Sequence, residues 1–297
     1  MFTLAHLSDA HLAPLPQPRL SELVNKRITG YLNWQRRRQF IHRAEVLDTL
    51  AADLKLAAPD HIAVVGDLAN IALPDEYPHG RDFLQSLGAP GDVTLVPGNH
   101  DVYVRAGCAL AQRYWGAYMR GDDARAGFPF VRRRGPAALV GISTAVPTAP
   151  FLATGWSGAR QLSALKLHLE ALGREGLFRV VLMHHPPVTQ AKKHKRLIDA
   201  PAFLQAIRDA GAELILHGHD HRHALVWLDG PHGHIPCVGV PSASASPGTD
   251  HDAAAYNLYR IDGDANAWRC EVVSRGFKKD SELRVVELGR RELTDAR

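Results

Sequence analysis

Val93-Thr94-Leu95-Val96-Pro97-Gly98-Asn99-His100-Asp101 decides how the chain is read. The run Val93–Val96 is apolar and β-branched and predicts a buried strand, which Pro97-Gly98 stops abruptly. An amide, an imidazole and a carboxylate then follow in consecutive positions. The arrangement recurs along the chain. Phe2–Leu7 runs into Asp9-Ala10-His11, and His61–Val65 into Gly66-Asp67. Phe178–Met183 runs into His184-His185-Pro186, and Glu213–Leu216 into His217-Gly218-His219-Asp220-His221. In open α/β sheets, ligands bind beyond the carboxyl ends of strands, where loops distant in sequence converge.

Amphipathic segments separate these strands. Phe40–Leu56 carries Ile41, Ala44, Leu47, Ala51 and Leu54 at helical spacing, and Pro74–Leu87, Ala159–Leu172 and Pro201–Ala210 also read as helices. Ala137–Ser143 is a further strand, and the stretch from His223 to about Glu287 is richer in strands and turns. Residues 1–285 therefore read as a single α/β domain, with insertions at 15–43 and 103–134. Residues 286–297 read as a charged tail that frays.

Composition narrows the function classes. With 297 residues, 45% hydrophobic and 22% charged, the chain matches a globular protein and excludes a fibrous or wholly disordered one. A net charge of +4 and a pI near 9.0 suit an anionic substrate or membrane surface without implying a stable nucleic-acid complex. Cys108, Cys237 and Cys270 form no C-x-x-C pair, which argues against a disulfide framework or zinc ribbon and for a reducing, cytoplasmic compartment. No signal-peptide pattern and no 18-residue apolar run is present.

The 17 His residues carry more information. The five clusters offer carboxylates, one amide oxygen and imidazoles but no thiolate, a mix that suits Mn, Fe or Zn. Gly66, Gly98 and Gly218 are expected to permit sharp turns at strand ends. Asp9 and His11, and likewise His219 and His221, are two apart, which on extended backbone places both side chains on one face. Taken alone, Asp9 reads equally as a cap and Asn99 as a turn residue. His217 reads as core, His6 as structural, and His223 and His194 as solvated.

Together the blocks D-x-H, GD, GNHD, H and GHxH, spread over residues 2 to 225, resemble the calcineurin-like metallophosphoesterase family. The resemblance implies a four-layer α/β/β/α sandwich of two mixed β-sheets flanked by helices. It implies one divalent ion on Asp9, His11 and His221, another on Asn99, His184 and His219, and Asp67 between them. Hydrolysis would proceed by attack of a metal-bridging hydroxide. His100 would face the leaving oxygen as acid, with Asp101 orienting it; His185 is set aside as a non-ligand.

Size and the GNHD block resemble bacterial class III cyclic-nucleotide phosphodiesterases, implying a phosphodiester or (cyclic) nucleotide substrate. The segment Arg19–Arg43 carries seven basic residues against Glu22 alone, with Leu20, Leu23, Val24, Ile28, Tyr31, Leu32 and Trp34 at roughly helical spacing. It reads first as a helix packed on the protein's own core, and second as an element for an anionic membrane surface. In the second reading it resembles members that cleave the pyrophosphate of UDP-diacylglucosamine at the inner membrane surface. Some of those carry GNRD where this chain has His100. The aromatic segment 103–134 reads either as a self-packed insert or as a cap over the site. No residue is assigned to substrate binding, and a homodimer is compatible with the chain.

Overall fold

In the computed structural model, which describes residues 1–278 and 283–294, the parallel strands β1 (Phe2–Leu7), β2 (His61–Val64) and β3 (Val93–Leu95) form one half of a sheet. The other half is antiparallel: β10 (Ala255–Asp262) pairs with β1, and β11 (Arg269–Gly276) and β12 (Val286–Glu292) follow, giving the order β12-β11-β10-β1-β2-β3. The second sheet has the order β4-β5-β6-β7-β9-β8. Its strands are β4 (Phe130–Arg134), β5 (Ala137–Gly141), β6 (Phe178–Leu182), β7 (Leu214–His217), β8 (Ala224–Gly230) and β9 (Gly233–Gly239). Strands β5, β6, β7 and β9 are parallel, and β4 and β8 are antiparallel edges.

Burial on both faces explains the short apolar runs of the central strands. Leu4, Ala63, Val65 and Val96 of the first sheet meet Leu139, Val180, Leu182 and Leu214 of the second in a core between the sheets. Three helices, α3 (Ala44–Leu56), α4 (Glu76–Leu87) and α5 (Arg105–Trp115), cover the outer face of the first sheet, with Leu47, Leu50, Leu54 and Leu84 against Ala5, Leu7 and Val64. Helices α6 (Ala159–Arg174) and α7 (Ala200–Ala210) cover the second sheet through Leu162, Leu165, Leu169, Phe203 and Ile207. The molecule is thus a four-layer α/β/β/α sandwich. No helix among the described residues is long and apolar enough to cross a membrane.

Two expectations change. The helix expected over Phe40–Leu56 is interrupted at His42-Arg43, both extended, where Arg43 N–H donates to Ser244 O at 3.0 Å. The preceding turns, α1 (Arg27–Asn33), a π-helical turn Trp34–Arg38 and α2 (Gln39–Ile41), therefore form a separate helical arm. The charged tail is a strand over Val286–Glu292, paired with β11; residues 295–297 lie outside the described residues. Of the two readings of the segment 103–134, the self-packed one describes its middle and end, while Tyr103 at its start stacks on His100. Trp115 is fully buried against Tyr77 and donates to its carbonyl at 2.9 Å, and buried Arg132 donates to the carbonyls of Pro90, Val93, Ala117 and Arg120.

Candidate metal centre

Because β1, β2 and β3 in one sheet and β6 and β7 in the other are parallel, the segments that follow them meet at one end of the sandwich. The backbone there is unusual. Asp9, His11, Asp67, His219 and His221 all have left-handed φ, at 54°, 37°, 57°, 70° and 53°. Non-glycine residues avoid this region at a cost of about 1–3 kcal/mol when forced into sparsely populated conformations, and such strain clusters at functional sites. It corrects the expectation that Asp9 and His11, and His219 and His221, alternate on extended backbone. Their side chains converge because the chain coils after each strand, held by Asp9 N–H to Gly66 O and His11 N–H to Asp67 O, both at 2.9 Å.

The structure brings the seven expected ligands together in two groups about one carboxylate. In the first, His221 Nε2 lies 3.0 Å from Asp9 Oδ1 and 3.3 Å from His11 Nε2, and His11 Nε2 lies 3.8 Å from Asp9 Oδ1. In the second, His184 Nε2 lies 3.2 Å from Asn99 Oδ1 and 3.3 Å from His219 Nδ1. Asp67 Oδ2 stands 3.9 Å from His11 Nε2 and 3.3 Å from His184 Nε2, and so faces both groups. Donors bound to one ion at about 2.1 Å stand about 3.0–3.4 Å apart, for right-angled to tetrahedral geometry, so most of these spacings fit a shared cation.

The second nitrogen of three imidazoles supports the same fit. His11 Nδ1 donates to Ala69 O at 3.1 Å, His184 Nδ1 to Val65 O at 2.7 Å, and His219 Nε2 to Lys195 O at 2.9 Å. A carbonyl acceptor places the proton on the outer nitrogen and leaves the inner one free to ligate. Burial holds His219 down at about 3 and His11 well below the usual range. Burial also opposes charge on His184, but Asp67 and Asp9 outweigh it and hold that imidazole up at about 10, as expected where the local field favours a cation. The donor set fits two small divalent ions held by nitrogen and oxygen.

His100 and Asp101 behave differently from expectation. Asp101 does not touch the His100 ring. Its carboxylate accepts N–H groups from Asp67 and Gly98 at 2.8 Å and from Ala69 at 2.9 Å, tying the two strand-end loops together. His100 is instead oriented by the Asn70 carbonyl at Nδ1 and by Tyr103, which stacks on it at 5.6 Å. Its Nε2 faces Arg38 Nη1 at 3.3 Å, and burial together with Arg38 pushes His100 down to about 4. The neutral ring accepts at Nε2, so Arg38 is the resident donor there. The glycines need a second correction. Only Gly66 is left-handed, at φ 96°. A Cβ on Gly98 would run into Asp67 Oδ1, and one on Gly218 into Ser8 Oγ and Asp9 Oδ2, so these two are glycines because the Asp67 and Asp9 carboxylates approach closely.

Other His residues fall as follows. His42 was not singled out by the sequence, yet its ring lies 4.5 Å from that of His11, with Nδ1 on Ser244 Oγ at 3.0 Å. No motif marks it; its position just after the basic arm is the only signal. His185, set aside above, sits 4.3 Å ring-to-ring from His219, and its Nδ1 meets Thr144 Oγ1 at 2.8 Å. His217 and His6 are buried outside the two groups, and His223 is exposed. The Lys192–Arg196 run around His194 contributes the Lys195 carbonyl that holds His219.

Comparison with known proteins places this geometry. A model of the calcineurin-like phosphoesterases matches residues 2–223. The chain belongs to that family. A calcineurin-like phosphoesterase is a metal-dependent hydrolase of phosphate esters, and the family's dimetal members account for a donor set divided by one carboxylate. The chain is 24% identical over 224 residues to a probable cyclic nucleotide phosphodiesterase of Synechococcus sp., covering 74% of this chain and 78% of that protein. Its fold is similar to that of a dimetal phosphatase from Danio rerio, with a TM-score of 0.55 at 14% identity, covering 93% and 96% of the two chains. It is also similar to a purple acid phosphatase from yellow lupin, Lupinus luteus, with a TM-score of 0.52 at 11% identity, covering 93% of this chain and 51% of that one.

Proposed function

We propose that this phosphoesterase hydrolyses a phosphodiester of nucleotide type, with Asp9, His11 and His221 holding one Mn, Fe or Zn ion and Asn99, His184 and His219 holding another. The observation that carries the reading is Asp67, whose Oδ2 faces both groups while Oδ1 accepts the His100 N–H at 2.7 Å. When bound, such ions supply an activated water and neutralise charge on the phosphoryl group. The chain's own residues fix the geometry. Ser8 Oγ and the His219 N–H occupy Asp9 Oδ2, leaving Oδ1 toward His11 and His221. His100, whose ring lies 4.9 Å from that of His11 in the first group, is the side chain we assign to the leaving oxygen, acting as a protonated ring only once substrate charge offsets its burial.

One observation supports a small nucleotide-like substrate. The Synechococcus relative is named a probable cyclic nucleotide phosphodiesterase. The test is hydrolysis of bis(p-nitrophenyl) phosphate and of a panel of cyclic nucleotides by Mn-loaded protein. Turnover that survives chelation, or that Asp67→Ala leaves intact, would end the proposal.

A second reading, peripheral action at an anionic membrane, is favoured by one feature. Ile28 and Phe40 of the arm and Leu20 and Val24 just before it are exposed, as are the neighbouring Phe151 and Leu152, to whose loop Lys26 is hydrogen-bonded. Flotation with anionic liposomes tests it. Absence of binding, with unchanged activity in Val24→Ser and Phe40→Ser, would remove it.

A further inference from the structure

The arm brings one side chain to the site that the ligand set does not use. Arg38 closes the π-helical turn Trp34–Arg38, a form of helix frequent at functional sites. Its Nη1 rests on His100 Nε2 at 3.3 Å. Its Nε and Nη2 are buried and have no hydrogen-bond partner. These two nitrogens are the side-on fork of a guanidinium. Elsewhere in the molecule the same fork is filled by a carboxylate: Arg179 on Glu213 at 2.9 and 2.7 Å, Arg275 on Asp53 at 2.8 and 2.7 Å, and Arg133 on Glu175 at 2.9 and 2.7 Å. No carboxylate pairs with Arg38 among the described residues, although Asp67 and Asp9 are its strongest charged neighbours.

A buried fork without an acceptor is rare, because buried donors are nearly always satisfied. Planar, two-pronged recognition by Arg suits carboxylate and phosphate oxygens. The arm that carries Arg38 is fixed, not loose. Arg27 donates to Ile71 O at 3.2 Å and Ala72 O at 2.5 Å, Trp34 is buried, and Gly30 packs so closely on Ile71 and Tyr103 that a Cβ would lie 2.6 Å from Ile71 Cγ2. The fork is therefore delivered to a set place beside His100.

We propose that Arg38 binds substrate directly, taking two oxygens of the phosphoryl group, or one oxygen twice, through Nε and Nη2. The inference rests on the phosphoesterase reading above and adds a binding residue from the insertion. It makes the arm part of the active site, so that its basic character serves the phosphate at one position and the surface at others.

The experiment is calorimetric binding of inorganic phosphate to Mn-loaded wild type, Arg38→Ala, Arg38→Lys and the exposed control Arg36→Ala, with Mn content measured on each. Arg38→Ala is expected to bind phosphate roughly tenfold or more weakly at unchanged Mn content, since hydrogen bonds to charged groups are worth that much. Arg38→Lys should recover only part, keeping the charge without the fork. Millimolar guanidinium should restore phosphate binding to Arg38→Ala, and Arg36→Ala should match wild type. Wild-type phosphate affinity in Arg38→Ala, with phosphodiester turnover intact in the native protein, would overturn this inference alone. Loss of Mn together with phosphate would also overturn it, as that is what a packing residue does. A wild type that binds neither Mn nor phosphate would overturn the phosphoesterase reading and this inference with it.

Discussion

The N–H of His100 donates to Asp67 Oδ1 at 2.7 Å, which turns Oδ2 of the same carboxylate toward His11 and His184. One backbone hydrogen bond thus sets which oxygen faces both ligand groups. Asp67→Asn keeps the size and the acceptor but removes the charge. We expect it to lower phosphodiester turnover on the order of 10³-fold or more, with fewer than two Mn per chain by elemental analysis. Near-wild-type turnover would show that the carboxylate is not shared.

Asp101 leads to a prediction about folding. Its removal leaves three buried N–H groups, of Asp67, Ala69 and Gly98, without an acceptor. Asp101→Ala should cost about 3 kcal/mol or more in urea unfolding of metal-free protein, at roughly 1–3 kcal/mol per stranded donor. A variant with impaired turnover and native stability would instead restore Asp101 to a direct role at His100.

Gly98→Ala isolates close approach from backbone freedom. Gly98 is not left-handed, so an added methyl group carries no penalty from its φ, yet it would collide with Asp67 Oδ1. Loss of Mn binding at near-native secondary structure by circular dichroism is the expected result. Retained binding would mean that Asp67 has room to move.

Acid sensitivity follows from His61, far from the ligands. It is buried at the start of β2, with Nε2 on Thr94 Oγ1 of the neighbouring β3 at 2.7 Å, and burial aided by Arg134 and Arg132 lowers it from 6.5 to about 3. The folded-state value lies below the unfolded one, so as pH falls the unfolded chain takes up the proton first. Stability from this residue is complete above pH 6.5 and is lost progressively down to about pH 3. By pH 5 the loss is about 2 kcal/mol. His61→Gln should flatten that part of the stability–pH curve; an unchanged curve would assign the effect to other groups.

Much of the site was legible because its chemistry lies in short blocks at strand ends. Asp9, His11, Asp67, Asn99, His184, His219 and His221 each stand beside a strand that periodicity alone locates, and the parallel order of the strands brings them together. What escaped the sequence depends on distant partners. Asp101 looked like the partner of its neighbour His100, whereas its oxygens are taken by N–H groups including those of Asp67 and Ala69, more than 30 residues away. Arg38 was one of seven basic residues in the segment Arg19–Arg43, His42 lay inside a helical pattern that ran from Phe40 to Leu56, and at Arg43 the chain is instead tied to Ser244, on a remote loop. Val286–Glu292 read as a tail because edge strands carry charge; its pairing to β11 is non-local and leaves most of its side chains exposed.

The central claim is that one carboxylate divides two cation sites which together support ester hydrolysis. Equilibrium titration of chelator-stripped protein with Mn, read by calorimetry and followed by bis(p-nitrophenyl) phosphate turnover at each addition, tests it most directly. The account predicts two Mn per chain in wild type, with turnover that rises as the second equivalent binds, and no full occupancy in Asp67→Ala. Undiminished turnover in the stripped protein, or full Mn occupancy and activity in Asp67→Ala, would contradict it.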